Sequence, residues 1–130
     1  MIPVIDHVGF RVADFDVSVK FYREVLATLG VEQLADMTFG RDRIAGFGRD
    51  GHSVFWLNNG RAGRTETHVA FAAASRAEVH AFYSVALSMG GRDNGAPGLR
   101  PHYHAHYYAA FVHDPDGYNI EAVCHTPEGQ

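Results

Sequence analysis

The 130-residue sequence predicts an α+β fold built from two tandem βαβββ modules, residues 4–60 and 66–125, within one domain spanning 1–130. The first observation behind this is an internal repeat. Displaced by 61 positions, His68-Val69-Ala70-Phe71 falls on His7-Val8-Gly9-Phe10, Phe82-Tyr83 on Phe21-Tyr22, Leu87 on Leu26 and Gly91 on Gly30. The second is that each copy reads strand, helix, glycine and then short strands. A unit this long, present only twice, does not stack into a solenoid, so the two copies are expected to pair and share one site. The third is composition: 46% apolar and 20% charged residues describe an ordinary globular chain, long enough to bury about two thirds of its unfolded surface.

Each element follows from its local pattern. Val4 to Val12 alternates and is rich in β-branched and aromatic residues, as a half-buried strand should be. Asp14-Phe15-Asp16 offers N-caps, and Val17, Phe21, Val25 and Leu29 recur at helical spacing until Gly30, which predicts a helix over Asp16 to Leu29. Three strands are expected near Val31 to Ala35, Arg43 to Gly48 and Ser53 to Leu57, separated by Gly40, Arg49-Asp50-Gly51 and Asn58-Asn59-Gly60 as turns.

Arg61-Ala62-Gly63-Arg64 reads as the link to the second module. There Thr67 to Ala73 is a strand, Ser75 caps a helix carrying Val79, Phe82, Tyr83, Ala86 and Met89, and Gly90-Gly91 ends it. Arg92 to Pro101, rich in glycine, proline and asparagine, reads as a mobile loop, either a lid or an inert surface segment. His102 to Val112 is predicted to be a long strand, Asp114-Pro115-Asp116-Gly117 a tight turn, and Tyr118 to Cys124 the last strand. Turn formation is also the expected role of Asp114 and Asp116.

Composition excludes several function classes. Lys20 is the only lysine, the arginines are scattered and the formal net charge is −4, so the footprint that phosphate backbones require is missing and no nucleic-acid partner is expected. Cys124 is the sole cysteine and is read as structural, so no internal disulfide forms and a reducing compartment suits the chain. Met1-Ile2-Pro3-Val4-Ile5 has neither a basic nor an apolar leader region, and no run reaches membrane-spanning length. A cytoplasmic protein with no membrane partner is the expectation.

The chemistry concentrates in three residues. His7 and His68 occupy equivalent positions of the repeat, and Glu121 is a charge inside the apolar strand Asn119-Ile120-Glu121-Ala122-Val123, costly to bury without a cationic partner. Two imidazoles and a carboxylate form a ligand set for one divalent metal, Fe, Mn, Ni, Co or Zn, leaving positions open for water and a small-molecule substrate. Strand alternation places His102, His104, His106 and Tyr108 on one face of their segment and Tyr103, Ala105, Tyr107 and Phe111 on the other. Either face could look into the site, and His102, His104, Tyr107 and Tyr108 are the candidate proton carriers. Phe55, Trp56, Tyr103 and Arg100 are candidate substrate contacts.

These residues carry a resemblance. Asp6-His7-Val8-Gly9-Phe10, Phe21-Tyr22, Thr67-His68-Val69-Ala70-Phe71 and Phe111-Val112-His113-Asp114-Pro115-Asp116-Gly117-Tyr118-Asn119-Ile120-Glu121 resemble the vicinal oxygen chelate superfamily of glyoxalases, bleomycin resistance proteins and extradiol dioxygenases. The resemblance spans nearly the whole chain. It implies a cupped, mostly antiparallel sheet and a homodimer whose sites lie within one chain or across the interface. It also implies a metal-dependent lyase, isomerase or ring-cleaving dioxygenase acting on a substrate that chelates the metal through vicinal oxygens. Glyoxalase I activity itself is not expected, because Phe55 or Trp56 stands where a fourth, glutamate ligand is needed. The acid–base tyrosine of the dioxygenases is replaced by Phe111. The alternatives are a thiol transferase of the fosfomycin-resistance type, for which only Arg92 and Arg100 speak, and a non-catalytic drug-binding protein lined by Phe55, Trp56, Tyr103, Tyr107 and Tyr108.

Overall fold

The computed structural model describes residues 3–63 and 67–128. The start Met1-Ile2, the linker residue Arg64 and the expected module boundary at residue 66 lie outside the described residues. The first module runs β1 (Val8–Val12), α1 (Phe15–Ala27), β2 (Glu32–Phe39), β3 (Asp42–Arg49) and β4 (His52–Asn59). The second runs β5 (His68–Ala72), α2 (Arg76–Ser88), β6 (Arg92–Leu99), β7 (Tyr108–His113) and β8 (Asn119–Cys124). Both are βαβββ, as the repeat predicts, and the fold is α+β.

Each module forms its own four-stranded sheet with the same strand order, β1-β4-β3-β2 and β5-β8-β7-β6. The first strand of each runs parallel to the last, and the other pairings are antiparallel. One face of each sheet is covered by its helix. Phe10, Val12, Phe47, Phe55 and Leu57 point to α1, where Phe21, Tyr22, Val25 and Leu26 bury the opposite wall of the core. Each fully buried ring or aliphatic group of this kind contributes roughly 1.5–3 kcal/mol. The helices start where their caps dictate. Asp14 accepts from the Val17 N–H at 3.1 Å, and Ser75 accepts from the Glu78 N–H at 3.2 Å while Glu78 returns its carboxylate to the Ala74 N–H at 3.0 Å.

The turn between β7 and β8 joins the modules. Asp114 lies 1% exposed and accepts the hydroxyl proton of Tyr22 from α1. Its other oxygen accepts the N–H groups of Asp116 and Tyr118, each at 2.9 Å. Asp116 accepts from the Ala13 N–H at 3.2 Å and the Ser18 hydroxyl at 3.4 Å, while the Tyr118 ring stacks 4.4 Å from that of Phe10. The Tyr118 hydroxyl donates to the Arg11 carbonyl and accepts from the Gly63 N–H, both at 2.6 Å.

Three expectations are corrected. Arg92 to Pro101 is not a loop: β6 pairs with β7 over Arg92–Leu99, with register shifts around Gly95 and Gly98 that absorb the turn-forming residues. His102 to Val112 is not one strand, because β7 begins only at Tyr108. Before it the chain turns twice, with Tyr103 N–H bonded to the Arg100 carbonyl at 3.0 Å and Tyr107 N–H to the His104 carbonyl at 3.2 Å. β1 starts at Val8 rather than Val4, so His7 stands just outside the sheet.

Candidate metal centre and the surrounding faces

Strand alternation sends residues of β7 and β8 alternately to the helix and to the opposite, open face of the second sheet. Ile120, Ala122 and Cys124 pack in the core, so Glu121 between them takes the open face, together with its register partners Ala70 and Phe111. Glu121 is nonetheless 2% exposed. One carboxylate oxygen, Oε1, stands 2.8 Å from His68 Nε2, and the other accepts the hydroxyl proton of Tyr107.

The tautomer of His68 follows from its second contact. Nδ1 lies 3.1 Å from the Asn119 carbonyl, which can only accept, so Nδ1 carries a proton. A neutral ring then presents a lone pair at Nε2 to a carboxylate that also brings lone pairs. Either a second proton or a cation must lie between them. Neighbouring ligand atoms at right angles about a first-row dication, with bonds of about 2.0–2.1 Å, stand roughly 2.9 Å apart. The His68–Glu121 spacing fits that requirement, and a carbonyl on the far ring nitrogen is the usual means of orienting a ligating histidine.

His7 is arranged in the same sense but elsewhere. Its Nδ1 lies 2.7 Å from Asp6 Oδ2, which leaves Nε2 available, and His52 Nε2 approaches the other Asp6 oxygen at 3.4 Å. The His7 interaction is the main cause of the lowered Asp6 pKa, with His52 adding to it and slight burial opposing it. His7 and His68 both border a cavity of ≈ 510 Å³ that Val8, Val54, Phe55 and Phe71 help to line. The structure does not bring His7 into contact with His68 and Glu121, and among the described residues no three histidine, cysteine or carboxylate groups are disposed to hold a metal ion.

The remaining candidates separate clearly. Tyr107 joins the centre through Glu121; burial first, then the hydrogen bond and charge of Glu121, push its phenol pKa well up, so it keeps its proton. Tyr108 lies on the helix side, bonded to His80 Nε2 at 2.6 Å beneath the Arg76 guanidinium. His104 donates to His125 Nδ1 at 2.8 Å, since its own Nδ1 accepts the His106 N–H, and its ring stands 5.5 Å from that of Tyr107. His102 lies against Tyr103, whose ring is 4.8 Å from Tyr107. Phe55 is a core residue at 1% exposure, edge-on to Phe71 at 5.2 Å.

Trp56 settles which residue mirrors Glu121. Ala70 pairs with Glu121, its repeat equivalent Gly9 pairs with Trp56, and the indole lies over Gly46, where a Cβ would stand 2.7 Å from the ring. Arg100 is held over the Phe111 ring at 5.4 Å, donating to the Gly98 and Ala96 carbonyls at 2.8 and 2.9 Å. Sequence reasoning missed Asp6, His52, Asn119 and His125. Adjacency to His7 was the one available signal for Asp6; a backbone carbonyl such as that of Asn119 leaves none.

The model of the Glyoxalase/Bleomycin resistance protein/Dioxygenase superfamily matches residues 4–122. The fold is similar to a glyoxalase/bleomycin resistance protein from Albidiferax ferrireducens T118, with a TM-score of 0.77 and 27% identity over 94% of this chain and 99% of that one. A glyoxylase/bleomycin resistance protein/dioxygenase domain from Frankia sp. EAN1pec superposes with a TM-score of 0.73 and 19% identity, covering 97% of this chain and all of the other (100%). Glyoxalase I from Zea mays gives a TM-score of 0.72 and 24% identity over 92% of this chain and 45% of its own. No curated protein matches the sequence closely.

Proposed function

Because the chain belongs to the glyoxalase/bleomycin resistance protein/dioxygenase superfamily, we propose that it is a divalent-metal-dependent enzyme acting on a small substrate that chelates the metal through adjacent oxygens. The observation that carries this reading is the His68–Glu121 pair, in which a buried carboxylate faces the Nε2 of a partly exposed imidazole at 2.8 Å, a spacing that a shared cation fits. His68, Glu121 and His7 would hold the metal, which when bound supplies Lewis acidity to the chelating oxygens.

His7 would reach that centre from a second copy of the chain. The open face of the first module carries Trp56 over the Gly46 floor and is bordered by His7; the open face of the second carries His68, Glu121 and Tyr107. A two-fold dimer lays one face on the other and completes two sites at once. The ligand set then has three members, since Trp56 cannot ligate where Glu121 has its counterpart, and glyoxalase I chemistry lacks its fourth ligand, a carboxylate. This favours lyase, isomerase or dioxygenase chemistry.

The chain's own residues have defined work in this reading. Asn119 fixes the His68 tautomer, and Asp6 that of His7. Tyr107, held protonated, is a hydrogen-bond donor rather than a base, at Glu121 or at a substrate oxygen beside it. His104 and His102 border Tyr107 or Tyr103 and are placed to exchange protons with solvent at the rim.

The test is metal content by plasma mass spectrometry after loading with each candidate ion and exhaustive dialysis. Near-stoichiometric metal in the wild type and its loss in His68→Ala and Glu121→Ala is the expected result. A wild type that retains none of the ions overturns the enzyme reading and favours a protein that encloses a small molecule without metal.

A further inference from the structure

Among the described residues Arg100 is a cation without a counter-ion, close to the candidate centre. It is half-buried, at the end of β6, and two backbone carbonyls, those of Gly98 and Ala96, orient its guanidinium. Those bonds use two of five N–H donors, and among the described residues no carboxylate pairs with it. Its guanidinium carbon lies 5.4 Å from the centroid of the Phe111 ring, and the His68 ring stacks on the same phenyl at 6.0 Å between centroids. Phe111 is also the register partner of Glu121. Arg100 and the His68–Glu121 centre therefore meet at one phenyl ring, on the same open face.

A charged side chain held in fixed orientation, with donors to spare and no carboxylate paired with it among the described residues, is poised for an external anion. From these positions we infer that the substrate is a carboxylate, bound through Arg100 while its two adjacent oxygens reach the His68–Glu121 centre across the face of Phe111. A carboxylate fits better than a phosphate or phosphonate. One guanidinium supplies one unit of positive charge, Lys20 on α1 is the only lysine, and the chain as a whole is acidic. A cation and a centre that meet at the same phenyl ring favour a compact molecule with the carboxylate at the far end from its vicinal oxygens. This assignment rests on the chelate reading above and adds the specificity element to it.

Three probes separate the two ideas: 3,4-dihydroxybenzoate, with vicinal oxygens and a carboxylate; catechol, with the oxygens alone; and benzoate, with the carboxylate alone. Binding is measured by isothermal titration calorimetry to the metal-loaded wild type and to Arg100→Gln and Arg100→Lys, whose folding is checked by circular dichroism. The wild type should prefer 3,4-dihydroxybenzoate to catechol by about tenfold or more, the worth of one charge-assisted pair. Arg100→Gln should abolish that preference without changing catechol affinity, and Arg100→Lys should restore part of it, since an ammonium lacks the planar fork. Equal affinity of the wild type for catechol and 3,4-dihydroxybenzoate, or a preference that survives in Arg100→Gln, overturns the inference and leaves the chelate reading standing. Benzoate bound as tightly as 3,4-dihydroxybenzoate, with both lost in Arg100→Gln, supports the carboxylate site and overturns the chelate reading. No binding of any probe overturns both.

Discussion

Tyr22, on the first helix, donates its hydroxyl proton to Asp114, ninety-two positions later in the turn of the second module. Both side chains are buried, and Tyr118 and Asp116 from the same turn add bonds to the Arg11 carbonyl, the Ala13 N–H and the Ser18 hydroxyl. The Asp-Pro-Asp-Gly-Tyr segment is therefore both a hairpin turn and the clasp that sets one module against the other. The relative position of the two open faces depends on it, and with it that of the half-sites proposed on them.

Asp114→Ala should destabilise the protein by about 2–4 kcal/mol, because the Tyr22 hydroxyl and two backbone N–H groups lose their acceptor together. Tyr22→Phe removes one donor from a carboxylate that keeps its backbone bonds and should cost about 1–2 kcal/mol. Urea unfolding of the two variants beside wild type checks the order. An equal loss in both would mean that the tyrosine bond alone carries the clasp.

The same carboxylate gives a pH dependence of definite sign. Burial raises the Asp114 pKa, against the lowering pull of Tyr22 and the two N–H groups. A carboxyl with a raised pKa in the folded state binds its proton more tightly there than in the unfolded chain. Its contribution to stability is complete below the ordinary aspartate pKa and is lost as pH rises through the raised value. Asp114→Asn cannot titrate, so the stability difference, wild type minus variant, should fall with rising pH across that window and be flat above it. Urea midpoints taken from pH 3.5 upward would show it; a difference that grows with pH would contradict a raised pKa.

How far the sequence anticipates the structure can be judged residue by residue. The 61-position repeat was enough for the module count and element order, because helix and strand periods survive sequence drift. β6 was hidden because Gly95, Pro97 and Gly98 read as loop residues, and only pairing to β7, with its irregular register, holds them extended. The opposite error at His102 to Tyr107 has a mirror-image cause: alternating aromatics read as strand, yet backbone bonds from Tyr103 and Tyr107 close turns instead. In the site, Glu121 was legible as a lone charge in an apolar run. The engagement of His7 with Asp6 was not, because exposed polar contacts leave no periodic trace.

Gly46, beneath Trp56, and Gly48, two residues along β3, give a third prediction. A Cβ on Gly48 would lie 1.8 Å from the His52 carbonyl oxygen, whereas one on Gly46 would meet the Trp56 ring at 2.7 Å and Ser53 Oγ at 2.8 Å. Backbone in a bulged hairpin cannot withdraw, but an indole at the sheet surface can. Gly48→Ala should therefore lose about 2–3 kcal/mol, at the upper end of the general range for overpacking, and Gly46→Ala about half of that. Trp56 is the only tryptophan, so Gly46→Ala should also shift its emission while Gly48→Ala shifts the unfolding midpoint. Unchanged emission in Gly46→Ala would show that the ring does not rest there.

A mixing experiment tests whether the metal centre is shared between copies. His7→Ala and Glu121→Ala each remove one ligand from every site of a homodimer, so neither variant alone should retain metal. In a mixed dimer whose sites cross the interface, one site joins His7 of the Glu121→Ala chain to His68 and Glu121 of the His7→Ala chain, and it is intact. Co-refolding the two variants should therefore recover part of the wild-type metal content, with the recovered metal confined to the heterodimer fraction separated by differential tags. If each site lay within one chain, every site in the mixture would still lack a ligand and nothing would be recovered. The borders of the cavity that His7 and His68 both line would then be the place where a single chain closes its own centre.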